Sequence, residues 1–120
     1  MIFGPLPLAE AEGAYLAHSL QLDGITLKKG QRLGPEEIAI LNAAKVAEVV
    51  AARLEDGDLH EDEAARRLGA ALTGDNLEAS QARTGRCNLT ATARGLLAVD
   101  AEALRRINAV DETITVATLG

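Results

Sequence analysis

The sequence predicts a small α+β domain with about three helices and six to eight short strands in a mixed sheet. Three features lead there. Short Leu-, Ile- and Val-containing runs recur between turn signals, two segments open like capped helices, and one stretch reads as strand–helix–strand with short joints.

The opening Ile2 to Leu8 is apolar but interrupted by Pro5 and Pro7, which limits it to a short edge strand. Ala9 to Gly13 suits a single helical turn stopped by glycine. Tyr15 to Leu20 alternates and is expected as a strand, turned by Asp23-Gly24 into Ile25-Thr26-Leu27. A second turn at Lys28-Lys29-Gly30 leads to Gln31-Arg32-Leu33.

Gly34-Pro35-Glu36-Glu37 then starts a helix, because proline fits the first helical position and acids face the positive end of the dipole. Ile38, Leu41, Ala44 and Lys45 mark one side of this helix. The next strand is expected between Val46 and Leu54, completing the strand–helix–strand unit.

Asp58-Leu59-His60-Glu61 has capping-box spacing with Asp58 as the expected N-cap. The helix behind it aligns Ala64, Ala65, Leu68, Ala71 and Leu72 and stops at Gly74. Leu77 to Val99 is strand-like, interrupted at Thr84-Gly85 and Arg94-Gly95. Asp100 caps a last helix, with Val99 and Leu104 at staple positions and Arg105 and Arg106 near its negative end. Thr113 to Leu119 is expected as a closing strand. One domain is expected over residues 1–120, as the N-terminal part of a longer chain, because a strand running up to Gly120 is an abrupt finish.

Composition narrows the function. Of the 120 residues, 23 are alanine, so a limited set of Leu, Ile and Val must supply the core. Phe3 and Tyr15 are the only aromatic rings, which leaves no platform for stacking bases. A formal charge of −6 opposes nonspecific nucleic-acid binding. The lone Cys87 can form neither an intrachain disulfide nor a cysteine zinc site. No apolar stretch is long enough to span a bilayer, and no secretory signal opens the chain, so cytoplasmic residence is expected.

Catalytic signatures are missing: there is no Gly-x-Ser-x-Gly elbow, no Walker loop and no His-Glu-x-x-His. No catalytic residue is assigned. Six carboxylates and His60 crowd Glu55 to Glu63, a composition that suits magnesium or calcium. The spacing is not that of a calcium loop, and acids are favoured in a first helical turn, so a solvated helix start is the preferred reading and no metal ligand is assigned. Arg83, Arg86 and Arg94 lie between Ala79 and Val99 with no acid among them. Arginine's planar fork suits phosphate, and Gly85 would let backbone amides approach an anion. The competing reading pairs these arginines with surplus carboxylates. Cys87 is expected as a small buried hydrophobe and His18 as a structural residue on an alternating strand.

Several phrases carry a family resemblance: Phe3-Gly4-Pro5-Leu6-Pro7-Leu8-Ala9-Glu10-Ala11-Glu12-Gly13, Leu16-Ala17-His18-Ser19, Leu27-Lys28-Lys29-Gly30, Glu61-Asp62-Glu63-Ala64-Ala65, Thr84-Gly85-Arg86-Cys87-Asn88-Leu89 and Asn108-Ala109-Val110-Asp111-Glu112-Thr113-Ile114-Thr115. In this order they resemble the amino-terminal region of alphaproteobacterial proteins that join a molybdopterin-binding domain to a molybdenum cofactor cytidylyltransferase-like domain. The opening is distantly similar to gephyrin-type molybdotransferases. The nucleotide loop and the Gly-Gly pterin signature of those families are absent from the chain. The resemblance implies an accessory domain of molybdenum cofactor biosynthesis, packed beside the pterin-binding domain of the same protein, with a homodimer as a further implication. Molybdopterin is the implied cofactor, and Arg83, Thr84, Gly85, Arg86 and Asn88 are the residues placed near its phosphate. The alternative is an interaction or dimerisation module with no small-molecule ligand.

Overall fold

The structure, a computed structural model, describes residues 1–119. Among them are three helices and seven strands in small antiparallel sheets, an α+β fold. The longest strand is β5 (Glu48–Arg53), which lies between β1 (Ile2–Pro7) and β2 (Tyr15–Leu16) in the order β1-β5-β2. Leu6 sits opposite Val49, and Leu16 opposite Ala51. These four share one face of the sheet and are buried there.

The β1 edge shows why proline is tolerated. The Leu8 amide donates to the Ala47 carbonyl at 3.0 Å, so the even-numbered residues turn their backbone groups towards β5. Phe3, Pro5 and Pro7 therefore turn theirs outward, and two of these three positions have no N–H to offer a further strand.

A single 3-10 turn at Leu8–Glu10 follows β1. The run expected as one strand from Tyr15 to Leu20 is divided. Tyr15–Leu16 joins the large sheet, while β3 (Leu20–Leu22) pairs with β4 (Ile25–Leu27) across the Asp23-Gly24 turn. The break comes at Ser19, whose hydroxyl accepts the Lys29 amide at 3.0 Å in place of a ladder bond. His18 is accordingly exposed on a bend and not on a strand.

Gln31 to Leu33 runs antiparallel to β2, held by Leu33 N–H to Ala14 at 2.8 Å and Leu16 N–H to Gln31 at 3.0 Å. It is thus parallel to β5, with β2 between them, and the helix α1 (Pro35–Ala43) connects the two. The expected strand–helix–strand unit is present as a split one. At the start of α1, Pro35 occupies N1 and Glu37 accepts the Gly34 amide at 2.9 Å. At its end the Val46 amide reaches the Leu41 carbonyl and the Lys45 amide the Asn42 carbonyl, both at 3.0 Å. That is a Schellman closure, with Lys45 left-handed at φ 59° where glycine is usual.

The core consists of Leu6, Ala11, Ala14, Leu16, Leu27, Leu33, Leu41, Val49 and Ala51, all within residues 6–51. Leu33 and Leu41 are its largest fully buried side chains. Three further pieces extend from this module. They are α2 (Glu61–Leu72), a hairpin of β6 (Leu77–Ala79) and β7 (Leu89–Ala91), and α3 (Ala101–Asn108). The result measures 57 × 29 × 22 Å with a radius of gyration of 18.8 Å, against about 14 Å for a compact chain of this length.

Two expectations are corrected here. Thr113 to Leu119 forms no strand. A strand needs a neighbouring backbone, and the partner found is a side chain: Asn108 Nδ2 donates to the Val116 carbonyl at 2.9 Å, and the Val116 amide donates back to Asn108 Oδ1 at 2.7 Å. Much of Leu77 to Val99 is likewise irregular, with pairing confined to the hairpin.

Lys45→Gly relieves the left-handed strain at the end of α1 without touching the core. Chemical denaturation of that variant is expected to show a gain of about 1 kcal/mol in stability.

Candidate functional site

The segment expected to carry a ligand, Arg83 to Asn88, is the tip of the β6–β7 hairpin. Arg83 and Arg86 pair across a two-residue turn in which both Thr84 (φ 49°) and Gly85 (φ 71°) are left-handed. Glycine takes this conformation freely, but a β-branched residue rarely does. The Thr84 hydroxyl donates to the Arg83 carbonyl at 2.7 Å and helps to hold it. Below the tip, Ser80 closes the ladder: its amide donates to the Asn88 carbonyl at 2.8 Å, and its hydroxyl accepts the Asn88 amide at 3.0 Å.

The tip is docked onto the start of α2. The Gly85 amide donates to Asp62 Oδ1 at 2.8 Å, and the Glu61 carboxylate lies alongside Gly85. The backbone donor that sequence reasoning reserves for an anion is therefore satisfied by a carboxylate of the protein. Arg83 donates to the Gln81 amide oxygen at 3.1 Å. Among the described residues, Arg86 is in no ion pair and is exposed. Thr84, Gly85 and Asn88 are exposed as well. The hairpin thus gathers the five expected residues at one tip but encloses no cavity around them.

Cys87 is half-buried and packs on Gly69 of α2, its thiol directed at the Ser80 carbonyl at 3.3 Å. A Cβ on Gly69 would collide with that sulfur and come within 3.3 Å of Cys87 Cβ. Gly69 is buried for this reason: its bare backbone lets the hairpin lie against the helix.

The acidic run is dispersed. Asp58, the expected N-cap of α2, instead accepts the Glu55 amide at 2.9 Å and meets the Met1 ammonium at 2.7 Å, as does Glu55. The ammonium and then the Glu55 amide hold the Asp58 carboxyl below its usual range. The cap passes to His60, whose Nδ1 accepts the Asp62 amide at 3.3 Å. Accepting there requires Nδ1 to be unprotonated. The His60 ring also stacks on Tyr15, with centroids 4.5 Å apart and planes at 33°. Among the described residues no three His, Cys, Asp or Glu side chains converge to hold a metal ion.

Glu63 accepts from Arg66 and Arg67, each at 2.8 Å, and these guanidinium groups hold its carboxyl down at about 2. Both arginines are exposed, so the pair steadies the helix surface more than it stabilises the fold.

What the sequence reading passed over is apolar surface. Side chains alternate along each strand, so the face of the large sheet opposite the core carries Phe3, Pro5, Val50, Ala52 and Tyr15. Tyr15 is covered in part by His60, but Phe3 is 63% exposed and Val50 38%. The far end of the molecule has a second patch. There Leu96 and Leu119 are almost wholly exposed, Leu97 and Val110 largely so, and α3 buries none of its residues. The unbroken run Val49-Val50-Ala51-Ala52 was the available signal, since a strand covered on one face alternates and one covered on both does not.

Two shallow grooves complete the surface. One of about 270 Å³ lies between the β3–β4 turn and α1, lined by Leu22, Ile25 and Ile40. The other, about 290 Å³, runs past Asn76, Arg94 and Leu97. No described helix is long and apolar enough to cross a membrane.

With this geometry in hand, the comparisons with known proteins fall into place. Residues 5–53 match a family described as a domain of unknown function, DUF8806. That stretch contains nearly all of β1 through β5 and the whole buried core. No curated protein and no solved structure matches the chain.

Two outcomes follow from these contacts. Gly69→Ala should destabilise the protein by about 1–3 kcal/mol in a denaturant titration, and adding Cys87→Ala should return most of the loss, because the colliding sulfur is gone. The folded state holds the Glu63 proton less tightly than the unfolded chain. The contribution of its arginine pair is therefore complete above about pH 4.5, the ordinary value, and fades as the pH falls towards 2. NMR shifts of α2 followed from pH 7 to 2 should show that step, and Glu63→Gln should remove it.

Proposed function

We propose that this chain is a non-catalytic accessory domain that works by association, in the setting of molybdenum cofactor biosynthesis. The observation that carries the association half is the pair of exposed apolar surfaces at opposite ends of an elongated chain whose core is confined to residues 6–51. Contiguous exposed apolar surface is characteristic of sites that meet another macromolecule. The setting rests on the residue phrases that resemble molybdopterin-handling proteins, and it makes a pterin-binding domain the expected neighbour.

Within that reading Arg86 is the group assigned to the pterin phosphate, since its guanidinium is exposed and free of a carboxylate partner among the described residues. A second reading, association with no small ligand, is favoured by one observation: the Gly85 amide is already bound by Asp62.

Calorimetric titration of molybdopterin, or of a stable pterin phosphate, separates the two. The titration is run on the chain together with a molybdopterin-binding domain, and on each alone. Arg86→Ala is expected to weaken binding to the combined proteins by about tenfold, the loss typical of one charge-assisted hydrogen bond. Unchanged affinity with an intact fold would leave the association reading without its ligand.

A further inference from the structure

We propose that the partner of the open sheet face is the C-terminal segment of a second copy of this chain. In this arrangement α3 and its flanking residues cover the Phe3–Val50 surface reciprocally in a two-fold dimer. The inference deepens the association reading and rests on it.

The sheet itself calls for a second layer. On one face α1 and its neighbours bury Leu6, Leu16, Val49 and Ala51. On the other, Phe3, Pro5, Val50 and Ala52 have no helix over them, although the β5 sequence is apolar on both sides. An α+β sheet with two apolar faces is completed by a layer on each. The chain carries one segment suited to this and otherwise unused. In α3, Ala103, Leu104 and Ile107 line one side and Glu102, Arg105 and Arg106 the other, with Leu97, Val99 and Val110 exposed at its two ends.

Charge favours a meeting between these two parts. Residues 1–63 contain twelve acids and five bases, a net of −7, whereas residues 64–119 contain six acids and seven bases, a net of +1. Glu48, paired with Pro7 and exposed, belongs to the open face. Arg105 is engaged by Glu102 at 2.7 Å, but Arg106 is in no ion pair among the described residues. Docking α3 on the face with its last turn towards Glu48 gives both groups a partner. It also sets the negative end of the helix against the less acidic flank of the surface created by Arg106.

A second copy is the occupant that uses both patches at once. The hairpin hooks its tip to Asp62 and lies against Gly69, which directs the following segment away from its own sheet along the 57 Å length of the molecule. An isologous contact repeats each interaction twice. Reciprocal coverage therefore buries two patches on each partner, which suits the roughly 800 Å² per partner that a stable interface takes.

Light scattering on a size-exclusion column, run across a dilution series of the intact chain, is expected to show a dimer that dissociates on dilution. Glu48→Arg and Arg106→Glu should each weaken it about tenfold, and the two together should restore it. In a Cys87→Ala background, Val50→Cys with Val110→Cys should oxidise to a disulfide-linked dimer. A chain that stays monomeric at every concentration overturns the inference, and so does an intramolecular Val50→Cys/Val110→Cys disulfide. If that monomer still binds a pterin-binding domain, the association reading stands and only the dimer falls. If it binds nothing, both fall.

Discussion

The first turn of α2 joins the two halves of this protein, and most of the extended architecture depends on it. His60 stacks on Tyr15 of the large sheet while capping the helix through Asp62 N–H. Two residues on, the Asp62 carboxylate holds the hairpin tip by the Gly85 amide. Sheet, helix and hairpin thus meet within three consecutive residues. None of these contacts is deeply buried, so the joint is polar and directional and has little hydrophobic burial behind it. A joint of that kind fixes orientation while adding little to stability, and this accords with a molecule in which separate pieces keep separate surfaces.

The distribution of apolar bulk explains the shape. Leucine and valine in residues 6–51 are sufficient for one small core, and alanine fills the close approaches at positions 11, 14 and 51. Beyond residue 54, only Ala65 among the apolar side chains is buried. Helices and hairpins in that half form because their local signals are strong. They remain spread out because they have no shared interior to collapse upon. The match of residues 5–53 to a family model falls on the part with the core. The same division between a folded module and an open arm underlies the proposal that the arm acts on another surface.

Local signals were legible in the sequence where the chemistry was local. Pro35 with Glu36 and Glu37, the Asp23-Gly24 turn and Asp100, which accepts the Ala103 amide at 3.0 Å, each behave as their types dictate. What the sequence hid depended on distant partners. Asp58 has the spacing of an N-cap, but the Met1 ammonium lies 2.7 Å from it and the role moves to His60. Thr113 to Leu119 has strand composition and no strand to pair with. The candidate ligand segment was legible as a turn. Its attachment to Asp62 was not, since nothing in the spacing of residues 62 and 85 announces that they meet. The open sheet face was written in Val49 to Ala52, but only an observed register turns that run into a surface.

The prolines of β1 have a consequence beyond geometry. Ile2 to Pro7 is the earliest strand to leave the ribosome, and it waits about forty residues for β5 to be made. During that interval it is an apolar, extended segment that neighbouring nascent chains also display. With Pro5 and Pro7 on the outward side, such a segment cannot donate the regular ladder through which identical strands stack on one another. The feature that makes β1 an edge in the finished sheet therefore also guards the chain while it is being synthesised.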